Sequence, residues 1–290
     1  MLARSILSFA AVFAFAACGE KSDTDFDSGE DAAVDGGSGD NGNADGIGDD
    51  GGDDGGGDDG PADPMTAALY GSLVDGSGAA LANADIKLCT SLQCKTAEPD
   101  ANGAFEFVDI EGAMFAFEVK GHAENSATIM TFIELDMEEV HTIAEPVMVP
   151  TFSSTADLGS TTTITVDGGL NISATADGYE LPFGTDVEEK LKGVKMDPAT
   201  AGLPMDDVSG EVVGLWYLGT WDTAIDPAWT FTIDELAGVE AGDTLKVMSG
   251  DYFGITWIDE GTATVGDGGS VTADAGTGIS FLSTLVLIKE

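Results

Sequence analysis

Two stretches of this chain, 65–150 and 151–290, carry apolar residues in short runs that alternate with polar ones and stop at Gly, Asn, Asp or Pro. A period of two sends successive side chains to opposite faces of a strand, and the stops supply turns. In the first stretch the runs are Leu69–Asp75, Leu81–Cys89, Asp100–Phe107 with Ile110 beyond it, and Gly112–Val119. In the second, a Thr- and Ser-rich lead from Thr151 to Thr165 enters Val166–Ala174. Further strands are expected at Val212–Leu218, Trp229–Ile233, Thr244–Met248 and Phe281–Ile288. Turn chemistry separates them at Asp177-Gly178, Asp226-Pro227, Ala241-Gly242-Asp243, Asp267-Gly268-Gly269 and Gly276-Thr277-Gly278. The pattern predicts an all-β chain with two β-sandwich domains, 65–150 and 151–290.

Residues 1–64 break this pattern. Arg4 precedes an apolar run from Ile6 to Phe15, and Ala16-Ala17-Cys18-Gly19 follow. The run is well short of the roughly 20 residues a membrane-spanning helix needs, so residues 1–17 are expected to be a cleaved signal peptide. The small residues before Cys18 resemble the lipobox of bacterial lipoproteins, with Phe15 where a leucine is usual. That resemblance implies lipidation of Cys18, which becomes the new N-terminus. Several acyl chains, at about 0.8 kcal/mol per buried methylene, then anchor the protein to the membrane. Gly19 rather than aspartate after the cysteine implies the outer membrane, at its periplasmic face or the cell surface. From Glu20 to Pro64 the chain is mostly Asp, Gly, Ser, Ala and Asn, with Phe26, Val34 and Ile47 its only larger apolar residues. Such a segment cannot build a core and is expected to be a disordered acidic tether spanning about 35 Å. The run Asp49 to Gly60 superficially resembles calcium-binding β-roll repeats, but it lacks their periodic aliphatic residue.

Charge narrows the partners. The chain has 53 acidic and 10 basic residues, a net charge of −43, and its only arginine is Arg4. A surface this acidic repels phosphate backbones, so no nucleic-acid partner is expected. Self-repulsion should also make the folded part more stable when salt screens it.

The first stretch carries a family pattern: Leu69-Tyr70-Gly71-Ser72-Leu73-Val74, then Leu81-Ala82-Asn83-Ala84-Asp85-Ile86-Lys87-Leu88, the turn and strand Asp100-Ala101-Asn102-Gly103-Ala104-Phe105-Glu106-Phe107, and Gly112 to Val119. This order resembles the carboxypeptidase regulatory-like, transthyretin-like β-sandwich, with Met114-Phe115 where the family more often has tyrosine. The resemblance implies a non-catalytic accessory module. A zinc peptidase is excluded on the residues, because His122 has Asn125 where H-x-x-E needs glutamate, and His141 is the only other histidine. No cofactor is implied. Glu98, Asp100, Asn102, Gly103, Glu106 and Asp109 have the spacing of a calcium loop, but Pro99 and the alternating Phe105 and Phe107 equally describe a β-hairpin. Glu98, Asp100, Asn102 and Asp109 remain a weak calcium candidate.

In the second stretch, the order from Trp229-Thr230-Phe231-Thr232-Ile233 through Ala241-Gly242-Asp243-Thr244-Leu245-Lys246-Val247 to Trp257 resembles ZU5-like sandwiches of bacterial surface proteins. All four tryptophans, Trp216, Trp221, Trp229 and Trp257, lie here. They either fill the core or offer aromatic faces to a carbohydrate. No nucleophile elbow or phosphate loop is present, and neighbouring pairs such as Asp206-Asp207 and Asp259-Glu260 point to opposite faces of a strand. The expectation is a non-enzymatic, lipid-anchored envelope protein acting as an interaction or structural module, a monomer whose partner is an envelope protein or a polysaccharide. The alternative is a carbohydrate-binding lipoprotein using the tryptophans.

Cys89 and Cys94 are the cysteines left once Cys18 is lipidated, and an exported chain meets an oxidising compartment. Residues five apart on one extended strand would sit about 17 Å apart, whereas a disulfide requires Cα atoms within about 7 Å. A bridge therefore predicts that Thr90 to Gln93 turn back on themselves.

Overall fold

A computed structural model describes residues 66–159, 162–175, 178–182, 189–205 and 207–290. The signal peptide, Cys18, the tether, Asp177 and Asp206 lie outside the described residues. The described part is nearly all β and contains no α-helix. Before Pro150 the strands are β1 (Ala67–Asp75), β2 (Ala84–Cys89), β3 (Cys94–Ala97), β4 (Ala104–Ile110), β5 (Ala113–Gly121), β6 (Thr128–Leu135), β7 (Val140–Thr142) and β8 (Val147–Val149). After it come β9 (Ser154–Asp157), β10 (Thr162–Val166), β11 (Leu170–Ala174), β12 (Tyr179–Glu180), β13 (Lys190–Met196), β14 (Glu211–Gly219) and β15 (Thr223–Trp229). The chain ends with β16 (Phe231–Ile233), β17 (Thr244–Asp251), β18 (Thr256–Val265), β19 (Val271–Ala273), β20 (Ile279–Leu282) and β21 (Thr284–Lys289).

Strands β1 to β8 make two four-stranded sheets. One runs β4-β1-β7, with β8 extending the β7 side of β1; the other runs β3-β2-β5-β6. The alternation explains the layering. Ile86, Leu88, Phe117, Val119, Ile129 and Ile133 of the second sheet, with Leu69, Leu73, Phe105 and Phe107 of the first, are all buried. Phe105 stacks on Phe117 at 5.6 Å between ring centroids. The turn Asp100–Ala104 does not close a hairpin as the sequence suggests, because β4 pairs with β1 while β3 pairs with β2. It is a corner between the sheets. Gly103 sits there at φ +79°, and a Cβ would come within 2.3 Å of the Leu73 carbonyl oxygen, so only glycine fits.

The later strands form a ten-stranded sheet, β10-β11-β16-β19-β18-β17-β21-β14-β13-β9, and a small sheet β12-β15-β20. In β14 and β21 both faces are covered. Trp216, Leu218, Leu285 and Leu287 point into a core made by this half alone, whereas Leu215, Tyr217, Val286 and Ile288 join Phe132, Met130 and Val149 of the earlier strands in a second core. The strand pairings thus separate near Pro150, but one hydrophobic core continues across that point. The run expected at Phe281–Ile288 is interrupted at Ser283, where β20 of the small sheet ends and β21 of the long sheet begins.

Candidate functional site

The outer face of the sheet β3-β2-β5-β6 gathers polar chemistry because of its register. Asp85 lies opposite Lys120, Lys87 opposite Glu118 and Cys89 opposite Ala116, so these side chains share one face. Toward Cys89 that face is dry: Phe132 meets Trp257 edge-on at 5.3 Å, Met130 N donates to Thr284 Oγ1 at 3.2 Å, and Thr284 Oγ1 donates to Met130 O at 2.6 Å. Toward Asp85 it opens into a cleft of about 460 Å³, whose opposite wall includes Phe152, Thr220, Trp221 and Lys192.

Thr220 and Trp221 of that wall belong to the loop between β14 and β15, which is tied down on both sides of Trp221. The Thr220 N and Oγ1 donate to Lys190 O at 2.9 and 3.0 Å, the Asp222 N donates to Leu282 O at 2.9 Å, and Thr223 Oγ1 donates to Thr220 O at 2.8 Å. Asp222 takes φ +62°, a conformation that Asn and Asp tolerate better than most side chains. A Cβ on Gly219 would lie 2.9 Å from the Phe152 ring, so the close approach of this wall depends on glycine.

Electrostatics couple the cleft to the groups behind it. Glu118 is buried, 4% exposed, and burial raises its pKa against the opposing pull of Lys87, whose Nζ lies 3.4 Å from its carboxylate. Asp222 is pushed up to about 7, first by desolvation and then by the charges of Asp251 and Glu118. Tyr252 is raised by burial and by Glu118 and Asp222. Its hydroxyl donates to Cys89 Sγ at 3.2 Å, and its ring meets Trp221 edge-on at 5.0 Å. The buried indole Nε1 of Trp221 has no hydrogen-bond partner among the described residues. The row Lys87–Glu118, Trp221, Tyr252 and the disulfide therefore form one continuous layer.

The expected disulfide is present: Cys89 and Cys94 are bonded with Cα atoms 4.0 Å apart, directly opposite in the β2–β3 register. Thr90 to Gln93 turn back as the bond requires, with Thr90 N donating to Gln93 O at 2.8 Å. The tryptophans do not form one platform. Trp216 and Trp229 are core residues, fully or almost fully buried, and their Nε1 atoms are satisfied by Asp167 O and Thr175 Oγ1. A buried indole has no face left for a sugar, so these two cannot be contacts. Trp257 is also buried, packing on Phe132 and donating to Asp207. Trp221 alone of the four is partly exposed and lines a cleft.

The calcium spacing is not assembled into a coordination shell. Asp100 Oδ1 accepts from the backbone N of Asn102 at 2.7 Å and of Ala104 at 2.9 Å, and these bonds hold its pKa below the usual carboxylate range. Asp75 makes the same turn with Ser77 and Ala79. Asp109 sits at the far end of β4, where its carbonyl accepts from Lys95. Among the described residues no three His, Cys, Asp or Glu side chains are placed to hold a metal. Glu260 accepts from Ser249 Oγ and from Ser280 N and Oγ, while Asp259 faces Lys246, as expected for neighbours on one strand. His122 and His141 pair with Asp85 and Glu139 near the surface.

Sequence reasoning did not single out Lys87, Glu118, Lys120, Asp222 or Tyr252. The available signal was Glu118, a carboxylate within the apolar run from Ala113 to Val119. Two larger cavities, of about 660 and 510 Å³, each present a single lysine, Lys195 and Lys95. The cleft at Trp221 combines several lysines with an aromatic wall. No protein-family model matches this chain, and no curated protein sequence does. Similar solved structures include a protein from Bacteroides uniformis proposed to bind carbohydrate, with 9% identity, 78% of this chain and 80% of that chain covered, and a TM-score of 0.23. A DUF3823 family protein from Parabacteroides merdae has 10% identity, coverage of 72% and 79%, and a TM-score of 0.24. The TIE protein of Bacillus anthracis has 9% identity, coverage of 78% and 48%, and a TM-score of 0.27. Likenesses of this degree leave the ligand to be argued from the site.

Proposed function

We propose that this chain is a non-enzymatic protein of the bacterial envelope, anchored through a lipidated Cys18 to the outer membrane, whose β unit binds a carbohydrate at the Trp221 cleft. Strands β1 to β8 act in this reading as a carboxypeptidase regulatory-like accessory sandwich. The observation that carries the binding role is the partly exposed indole of Trp221 facing the charged row Asp85, Lys87, Glu118 and Lys120 across about 460 Å³. Small-ligand sites span roughly 300 to 1,000 Å³ and combine apolar walls with a few placed polar groups. A pyranose offers a C–H face to the indole and hydroxyls to the row. A protein-interaction role is the second reading. It is supported by Leu92, 94% exposed, and Phe253, 70% exposed, on the two hairpin tips that meet where Tyr252 touches the disulfide.

Titration of the exported protein with a panel of oligosaccharides, followed by calorimetry and tryptophan fluorescence, tests the binding role. Trp221→Ala is expected to abolish the response, and absence of binding by every sugar class would remove the carbohydrate reading. The anchor is tested by Cys18→Ser, which is expected to release the protein from the membrane fraction and abolish incorporation of labelled fatty acid.

A further inference from the structure

We propose that the sugar taken in this cleft is acidic, a saccharide carrying a carboxylate such as a hexuronic acid, gripped by Lys87 and Lys120 while its ring lies on Trp221. The inference rests on the carbohydrate reading of the same cleft. It begins with an asymmetry of charge. Eight lysines follow residue 64 in a chain of net charge −43, and three of them, Lys87, Lys120 and Lys192, line this one cleft.

Four of the five lysines elsewhere are otherwise engaged, Lys195 lying over the Trp216 ring at 5.4 Å. Lys289 Nζ lies 2.6 Å from Asp243, Lys246 lies 3.5 Å from Asp259, and Lys95 donates to the carbonyls of Val108 and Asp109. In the cleft Lys192 is itself engaged, and the other two differ. Lys120 is exposed and makes no ion pair among the described residues, since Asp85 opposite it is taken by His122 at 3.0 Å. Lys87 reaches both oxygens of Glu118 at 3.4 Å, longer than the roughly 2.7–2.9 Å of a strong charge-assisted bond, and an ammonium has three donors. A ligand carboxylate can approach both groups more closely than Glu118 does.

Neutral sugars present hydroxyls, which a site can read with amides and carboxylates alone. Ammonium groups beside an aromatic wall add recognition of an anion attached to a ring. The acidic surface elsewhere sharpens the choice, because an anionic saccharide is repelled from the rest of the molecule and meets attraction mainly at this cleft.

The test uses the full exported chain and three probes, trigalacturonic acid, maltotriose and triglutamate, titrated by calorimetry. Trigalacturonate is expected to bind at least about tenfold more tightly than either of the others. Lys120→Gln is expected to weaken trigalacturonate about tenfold, and Lys120→Arg to retain most of the affinity, since both keep a polar exposed strand position. Circular dichroism of the variants confirms folding. Equal or tighter binding of maltotriose overturns the acidic specificity and leaves the carbohydrate reading standing. Triglutamate binding as tightly as trigalacturonate overturns the proposal in favour of charge alone. If neither sugar binds, the acidic specificity is overturned, and the carbohydrate reading falls with it when the whole oligosaccharide panel is also silent.

Discussion

The two faces of the sheet β3-β2-β5-β6 are built from the same strands and read from the same alternation, yet they do different work. The inner face, with Ile86, Leu88, Phe117 and Val119, is mainly apolar, its buried Thr131 donating to Pro204 O, and packs on β1 and β4. The outer face changes character along its length, from Phe132 and Cys89 under Trp257 and Tyr252 to Lys87, Glu118 and Lys120 at the cleft. An inner face that must exclude water tolerates no charge without a partner. An outer face covered by a second sheet over part of its length can hold a charged pair where the cover lifts.

The largest expected effect separates the faces by stability. Phe117→Ala removes a fully buried ring stacked on Phe105, and it should cost about 3–5 kcal/mol in urea unfolding. Lys120→Gln, on the exposed end of the outer face, should leave the midpoint within experimental error. A comparable loss from both would mean that the cleft is part of the core.

Next comes the disulfide at the boundary of the dry part. Cys89→Ala with Cys94→Ala should lower stability by about 2 kcal/mol, because the ring closed by the bond is short. Alkylation of the exported wild-type protein without reduction should add no label to the peptide between Lys87 and Lys95. Two labels would remove the bond.

Asp222 tests how far the covered region is dehydrated. Its carboxyl is held near 7 in the folded chain, against an ordinary 3.8, so the folded state binds its proton more tightly than the unfolded state does. Its contribution to stability is complete below pH 3.8 and is lost as the pH rises through about 7. Asp222→Asn stays neutral and suits the positive φ, so it should be more stable than wild type by about 2 kcal/mol above neutrality, roughly half of the full linkage because solvent screens the carboxylate, and equal to it near pH 3.8. Melting curves that shift equally at both pH values would place Asp222 in water.

The smallest effect concerns the acidic surface as a whole. Sodium chloride should raise the melting temperature gradually, and calcium should add nothing beyond its ionic strength. A saturable calcium shift lost in Asp100→Ala would show that the turn at Asp100 binds the ion after all.

Much of the fold is legible along the chain, and the failures have local causes. β1, β2, β4, β5 and β14 fall close to the apolar runs that the sequence marks off with turn residues. β18 escapes such a reading. A bulge places Val247 opposite Gly261 and Met248 opposite Asp259, leaving Glu260 as an extra residue. Trp257 before the bulge and Ala263 and Val265 after it therefore serve different cores although all are odd-numbered. β13 mixes lysines with apolar residues on one face, since Val194 and Met196 enter a core while Lys192 lines the cleft.

Composition and alternation by themselves determined an all-β chain and the bend required by Cys89 and Cys94, since each follows from neighbouring residues. Only the tertiary structure decided which tryptophan can meet a ligand, that one core runs past Pro150, and that Lys87, Glu118 and Lys120 face Trp221. The reason is physical. Alternation states that a side chain points to one face or the other, but whether that face is then covered depends on a partner sheet more than a hundred residues away in sequence.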